Sequence, residues 1–194
     1  MPKYLSILIL VLFSFSPAKA QNPDINILHR LNKPFYHHEQ FWRNLTNSVY
    51  WVPPAYLISN LTYGIAANDK EARRFALETT FSTAIGMTIT EGLKLMVNRP
   101  RPTQTYPDLI NTYSYTRSKS FPSGHSALAF ATSTTMACQG KRWFVSIPVF
   151  TWSGTIGYSR MRLGKHYPTD VLAGAAIGVG SGILGHWITE RLIQ

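Results

Sequence analysis

Cysteine is almost missing from this chain. Its 194 residues hold one, Cys138, which excludes an intrachain disulfide, a disulfide scaffold and a zinc site built from several cysteines. Charge is scarce too. Asp, Glu, Lys and Arg make up 14% of the residues, against about 25% in an ordinary soluble protein. Apolar residues make up 45% and aromatics 13%, so a disordered chain, which needs dense charge and little hydrophobic content, is excluded. Acids are scarcest: nine, against nineteen Lys plus Arg, for a formal net charge of +10. Such a surplus fits an anionic partner (nucleic acid, an anionic membrane surface or a phosphorylated substrate) or a merely solubilising basic surface. The mean hydropathy of -0.06 argues against a chain made mainly of long lipid-facing spans. There is no repeat, no low-complexity tract, no sustained polar–apolar alternation and no Asn-Gly hairpin signal. Strands are therefore not expected, and the length is that of one domain.

The first twenty residues read as a secretory signal. Lys3 gives a positive start, Leu5 to Phe15 is nearly all apolar, and Ala18-Lys19-Ala20 offers a small-x-small cleavage pattern. The apolar run is short of the ~20 residues that cross a bilayer, an uncleaved first anchor being the other reading. No cysteine follows the run, which excludes a lipoprotein anchor there. The protein is expected to be exported and to face the periplasmic side. Residues 21–70 form an N-terminal segment in which Phe35, Tyr36, Phe41, Trp42, Tyr50 and Trp51 mix with Arg30, Lys33, Arg43, His29, His37 and His38. That composition suits a membrane interface or an ordinary helix tucking its aromatics into a core. Pro53-Pro54 is expected to break the segment.

Residues 71–194 read as a helical core. Asn68-Asp69 with Glu71 marks a helix start, and the helical pattern from 72 to 97 ends before Pro100 and Pro102. Residues 103–121 form a polar, tyrosine-rich loop. Further helices are expected over 124–140, over 142–162 with a kink or break at Pro148, and from Pro168 to about Leu192. Gly174, Gly178 and Gly182, four apart, make a flat stripe that another helix can approach closely. The fold expected is an all-α bundle of about five to six helices.

Three stretches carry chemistry. Lys94 precedes Arg101-Pro102 by seven residues, so both cations can face one pocket if the helix continues. Pro122-Ser123-Gly124-His125 opens a helix, where unbonded N–H groups and the positive dipole end attract anions. Ser159-Arg160 is followed by His166 and, four residues on, Asp170. Arg160 adds a planar fork that matches phosphate oxygens. Lys94, Arg101 and Arg160 with the N–H groups at Ser123 and Gly124 suit a trigonal-bipyramidal phosphoryl group. Asp170 can take the Nδ1 proton of His166 and leave Nε2 as nucleophile, while His125 can protonate a leaving oxygen. The cations take the part a metal has elsewhere, so no metal or other cofactor is expected.

Together these stretches resemble the three-part signature of the type 2 phosphatidic acid phosphatase and vanadium haloperoxidase superfamily, with every position present from Lys94 to Asp170. The text around Ser120–Ala127 and His166–Gly174 looks like its lipid phosphatase branch. The resemblance implies a phosphohistidine formed on His166, leaving-group protonation by His125, orientation by Asp170, and phosphate binding by Lys94, Arg101, Ser123, Gly124 and Arg160. It departs from the integral members in its signal-like start and low hydropathy. The expected partners are a lipid phosphate substrate and a membrane surface or bilayer, with no nucleic acid and the oligomeric state left open. A soluble periplasmic acid phosphatase, a vanadium haloperoxidase and a non-catalytic lipid-binding scaffold are the alternatives.

Overall fold

A computed structural model describes residues 23–33 and 38–192. The signal-like residues 1–20, with Phe35, Tyr36 and His37, lie outside the described residues. The elements are α1 (Pro23–Leu31), α2 (Glu39–Asn47), a 3-10 turn (Ser48–Tyr50), α3 (Val52–Ala66), α4 (Lys70–Val97), the single turn α5 (Pro102–Thr105), α6 (Gly124–Gly140), α7 (Trp143–Arg162) and α8 (Pro168–Leu192). No strand occurs among the described residues, which bears out the all-α reading. Five long helices, α3, α4, α6, α7 and α8, form the bundle; α1, α2 and α5 are added short pieces.

Local chemistry sets the boundaries. The Asp69 carboxylate accepts from the N–H groups of Glu71 at 2.8 Å and Ala72 at 3.0 Å, which starts α4. Asn98 ends α4 in the left-handed region at φ 52°, and Lys141 ends α6 at φ 48°. Ser123 caps α6, its hydroxyl taking the N–H of Ser126. Pro53-Pro54 falls where the aromatic segment gives way to α3 and sits in the first turn of that helix, where a missing N–H costs nothing. At Pro148, expected as a kink or break, α7 continues without a break. One lost hydrogen bond is outweighed there by packing on α6, including a 2.7 Å bond from the Ser133 hydroxyl to the Val149 carbonyl.

The helices alternate in direction. α8 lies along α6, α4 packs on both, α7 takes the other side of α6, and α3 lies against α4. The glycine stripe of α8 faces α6. A methyl group at Gly174 or Gly178 would overlap the carbonyl oxygen of Ser123 or Ala127, and one at Gly182 would strike Thr134. The interior is correspondingly small and hydroxyl-rich: Ser126, Ala127, Ala131, Thr132 and Thr135 are fully buried. Their hydroxyls bond back within the helix, Thr132 to Leu128 at 2.9 Å and Thr135 to Ala131 at 3.0 Å. Large apolar side chains lie outside, among them Leu95, Met96, Trp143 and Leu172. Of the aromatic N-terminal segment, Phe41, Tyr50 and Trp51 are exposed, while Trp42 packs on Tyr158. Among the described residues α8 alone is long and apolar enough to cross a membrane.

A pair of substitutions on one helix tests this packing. Gly180 has open space where a Cβ would go, whereas a Cβ at Gly178 meets the Ala127 carbonyl and Phe130. Gly178→Ala is expected to destabilise by about 1–3 kcal/mol through overpacking. Gly180→Ala is expected to gain up to about 1 kcal/mol of helix propensity. Thermal unfolding of the two purified variants should shift Tm in opposite directions.

Candidate active site

Because the helices alternate, the C-terminal ends of α4 and α7 and the N-terminal ends of α6 and α8 share one end of the bundle. The eight residues singled out in the sequence lie there. Lys94 is in the last turn of α4, Arg101 caps α5, Ser123 caps α6, and Gly124 and His125 open it. Arg160 is in the last turn of α7, His166 in the connection to α8, and Asp170 in the first turn of α8. The Ser123 N–H donates to the Asp170 carbonyl at 2.9 Å, which locks the starts of α6 and α8 together. His125 lies within electrostatic reach of Arg160, His166, Arg101 and Lys94, and its ring stands T-shaped to that of Tyr50 with centroids 5.1 Å apart.

Lys94 and Arg101 do not reach the site along one helix. α4 stops at Val97, and the turn at Asn98 with Pro100 delivers Arg101 separately. The Arg101 guanidinium is held on nearly every side: Nε donates to the Ser118 carbonyl at 2.9 Å, Nη2 to the Ser118 hydroxyl at 2.8 Å, and Nη1 to the Lys165 carbonyl at 2.7 Å. Nη1 also stands 3.3 Å from Nε2 of His166. Lys94 Nζ pairs with Glu91 at 2.6 Å. A Cβ placed on Gly124 would lie 3.4 Å from that nitrogen, so glycine leaves the space between the cation and the opening turn of α6. Arg160 is buried, with Nη1 3.4 Å from the Thr46 hydroxyl of α2.

His166 is buried, and its two nitrogens have opposite surroundings. Nδ1 lies 2.8 Å from the main-chain carbonyl of Ser120. A carbonyl only accepts, so Nδ1 carries the proton and Nε2 the lone pair, which Arg101 faces as a donor. Burial pushes the imidazole down to about 4, with Arg101 and Arg160 adding to the shift and Asp170 opposing it. The His166-x3-Asp170 spacing predicts a direct bond from Nδ1 to the carboxylate. In the structure the nearest oxygen, Oδ2, is 3.6 Å away, because the carboxylate is occupied. It accepts from the Ser120 hydroxyl, from the Tyr167 N–H at 2.9 Å and from Arg99 Nη1 at 2.8 Å. Ser120 thus joins the two, its carbonyl on the histidine and its hydroxyl on the aspartate.

Arg99, Asp24 and Ser120 escape the sequence reading. Arg99 lies over the Tyr167 ring at 3.8 Å and ties Asp170 on α8 to Asp24 on α1, 2.9 Å from Nη2. Asp24 also accepts from the Thr169 N–H at 3.0 Å, in the first turn of α8. Arg99 stands two residues before Arg101 and Ser120 just ahead of the Pro122–His125 run, a proximity that could have flagged them. Nothing local marks Asp24. Among the described residues no three His, Cys, Asp or Glu side chains converge as a metal-ligand set.

Asp170 is fully buried and Asp24 nearly so. Arg99→Ala removes the cation that both share and is expected to cost about 3–5 kcal/mol, the range for stripping one partner from a buried pair. Arg99→Lys should recover part of it. Denaturant unfolding of the three proteins checks this order.

Comparison with known proteins gives the family. The family model described as the PAP2 superfamily matches residues 75–194. A lipid A 4′-phosphatase of Bacteroides thetaiotaomicron is 29% identical over 174 residues, covering 84% of this chain and 73% of the relative. A lipid A 1-phosphatase of Porphyromonas gingivalis is 34% identical over 120 residues, 58% of this chain but only 24% of that longer protein. The crystal structure of a transmembrane PAP2 type phosphatidylglycerolphosphate phosphatase from Bacillus subtilis has the same fold, with a TM-score of 0.76 and 22% identity over 98% of this chain and 95% of that one. From Lys94 to Asp170 the candidate site lies inside the matched segment, and the chain belongs to the PAP2 superfamily.

Proposed function

We propose that this protein is a metal-independent phosphatase that removes phosphate from a lipid-linked phosphomonoester or pyrophosphate through a phosphohistidine, at the periplasmic face of a membrane. The observation that carries the reading is His166. It is a buried, neutral imidazole whose Nδ1 proton is held by the main chain and whose Nε2 lone pair lies against Arg101. The names of the relatives, both lipid A phosphatases, support a lipid phosphate substrate. The large apolar side chains on the outside of the bundle support a membrane setting.

The chemistry follows from the positions. Nε2 of His166 attacks phosphorus, and the bond from phosphorus to the leaving oxygen breaks in line. Lys94, Arg101, Arg160 and the N–H groups at the start of α6 stabilise the negative charge on the equatorial oxygens. His125 gives its proton to the leaving oxygen. The dianionic phosphoryl group favours the protonated imidazole on arrival. The now neutral His125 then takes a proton from water, whose oxygen attacks the phosphohistidine. Inorganic phosphate leaves, and both histidines return to their starting states.

The deciding experiment is phosphate release by the detergent-purified protein from phosphatidate, undecaprenyl pyrophosphate, lipid A and a soluble aryl phosphate, with EDTA and with or without vanadate. Lipid-selective, EDTA-resistant, vanadate-inhibited release is expected, and His166→Ala should lose at least about 10³-fold in kcat. Equal turnover of the aryl ester would replace this reading with a broad-scope acid phosphatase. Peroxide-dependent halide oxidation with added vanadate would point to a haloperoxidase, and no release anywhere to a binding scaffold.

A pH profile tests the state of the nucleophile. His166 is pushed down to about 4, so its reactive neutral form persists as the pH falls through the ordinary histidine range and is lost only below about 4. After correction for substrate ionisation, the acid limb of kcat/KM assigned to this residue should lie near pH 4 rather than near the unperturbed ~6.5.

A further inference from the structure

Beside the phosphate pocket lies a second group of cations that one phosphoryl group does not use. Lys165, just before His166, is buried. Its ammonium donates to the Ser114 carbonyl and, at 2.8 Å, to the Ser114 hydroxyl, and it stands 4.3 Å from the centre of the Tyr113 ring. The Arg43 guanidinium of α2 lies 4.5 Å from the same ring. Arg43 is three residues before Thr46, so one face of α2 presents both, and Thr46 touches Arg160. The Lys165 carbonyl holds Arg101. The group therefore borders the pocket on its Arg101–Arg160 side.

Its charge balance is unusual. Among the described residues no carboxylate forms an ion pair with Lys165. The acid within electrostatic reach, Glu39, is already 3.6 Å from Arg43. A buried ammonium next to three guanidinium groups is costly in the empty protein. Burial, with Arg160, Arg101 and Arg43, pushes Lys165 down to about 8. An arriving anion relieves that repulsion. On the phosphatase reading above, Lys94, Arg101, Arg160 and the α6 N–H groups are assigned to the equatorial oxygens of one phosphoryl group, so on that reading the anion that Lys165 and Arg43 attract is a further one.

We propose that Lys165, Arg43 and the Tyr113–Ser114 segment form a second anion subsite, which takes a second phosphoryl group of the same substrate. This rests on the phosphatase reading above and names the class of headgroup it favours: one with two phosphoryl groups, joined as a diphosphate or set apart on one headgroup.

The test compares wild type with Lys165→Met and with Arg43→Gln, the latter a change to a partly exposed side chain that keeps the test open if the buried one misfolds. KM is measured for phosphatidate, for undecaprenyl pyrophosphate and for lipid A carrying two phosphates. Inorganic phosphate and pyrophosphate are compared as competitive inhibitors. The preference for two-phosphate over one-phosphate ligands is expected to fall about tenfold or more in each variant, as for one lost charge-assisted hydrogen bond. Loss confined to pyrophosphate and the prenyl substrate identifies the diphosphate, and loss confined to lipid A identifies the separated pair. If the preference stays within about twofold of wild type, or all ligands weaken alike, Lys165 is a strut for the 113–114 loop and the subsite is refuted. Failure of the phosphatase reading looks different: the wild-type protein would then turn over none of the lipids.

Discussion

The closeness of α6 and α8 is the constraint on which the rest depends. Glycines on α8 lie against the α6 backbone where a Cβ would overlap its carbonyl oxygens, and the Ser123 N–H reaches the Asp170 carbonyl. Two helix N-termini are thereby set side by side, each with its positive dipole end toward the same space. Two like ends held together repel. The resident answer on α8 is Asp170, whose carboxylate takes the Tyr167 N–H, Ser120 and Arg99. On α6 the Ser123 hydroxyl takes the Ser126 N–H, and the remaining positive field opens toward Lys94 and Arg160. Packing at the middle of the bundle and anion attraction at its end have one origin.

The polarity of the bundle departs from that of an ordinary globular domain. Beside small apolar clusters around Leu28 and Ile156, alanine, serine and threonine line the α6–α8 contact, and many large apolar side chains face outward. Averaged hydropathy counts every hydroxyl as polar, although several, such as those of Thr132 and Thr135, are satisfied inside their own helix. The mean of the sequence therefore understates how apolar the exterior is. This is why composition argues against lipid-facing helices while the exposed surface supports them.

Much of the site was legible because its chemistry admits few residue types. A cation clamp, an N–H nest and a histidine followed by aspartate are readable as text, and all eight residues meet at one end. Helix starts were readable where a capping side chain lies next to its helix, as at Asp69 and Ser123. Prolines were ambiguous, since Pro53-Pro54 and Pro148 carry the same local signal in a first turn, an interior or a break, and packing decides among them. The network around Asp170 was illegible for a different reason. Asp24 lies 145 residues before Thr169, and no periodicity links partners at that separation.

Ser120 contributes a carbonyl, not a side chain, to hold the histidine proton. A codon change can delete a side chain but leaves the peptide group in place, so no single substitution at position 120, proline included, removes that acceptor. The tautomer of His166 is thus insulated from point mutation as long as the loop keeps its path. What selection can vary is the side-chain layer behind it, Asp170 with Arg99 and Asp24, which sets how firmly that path is held. Drift in such a scaffold would shift the setting of His166 by degrees, while the nitrogen that carries its proton stayed fixed.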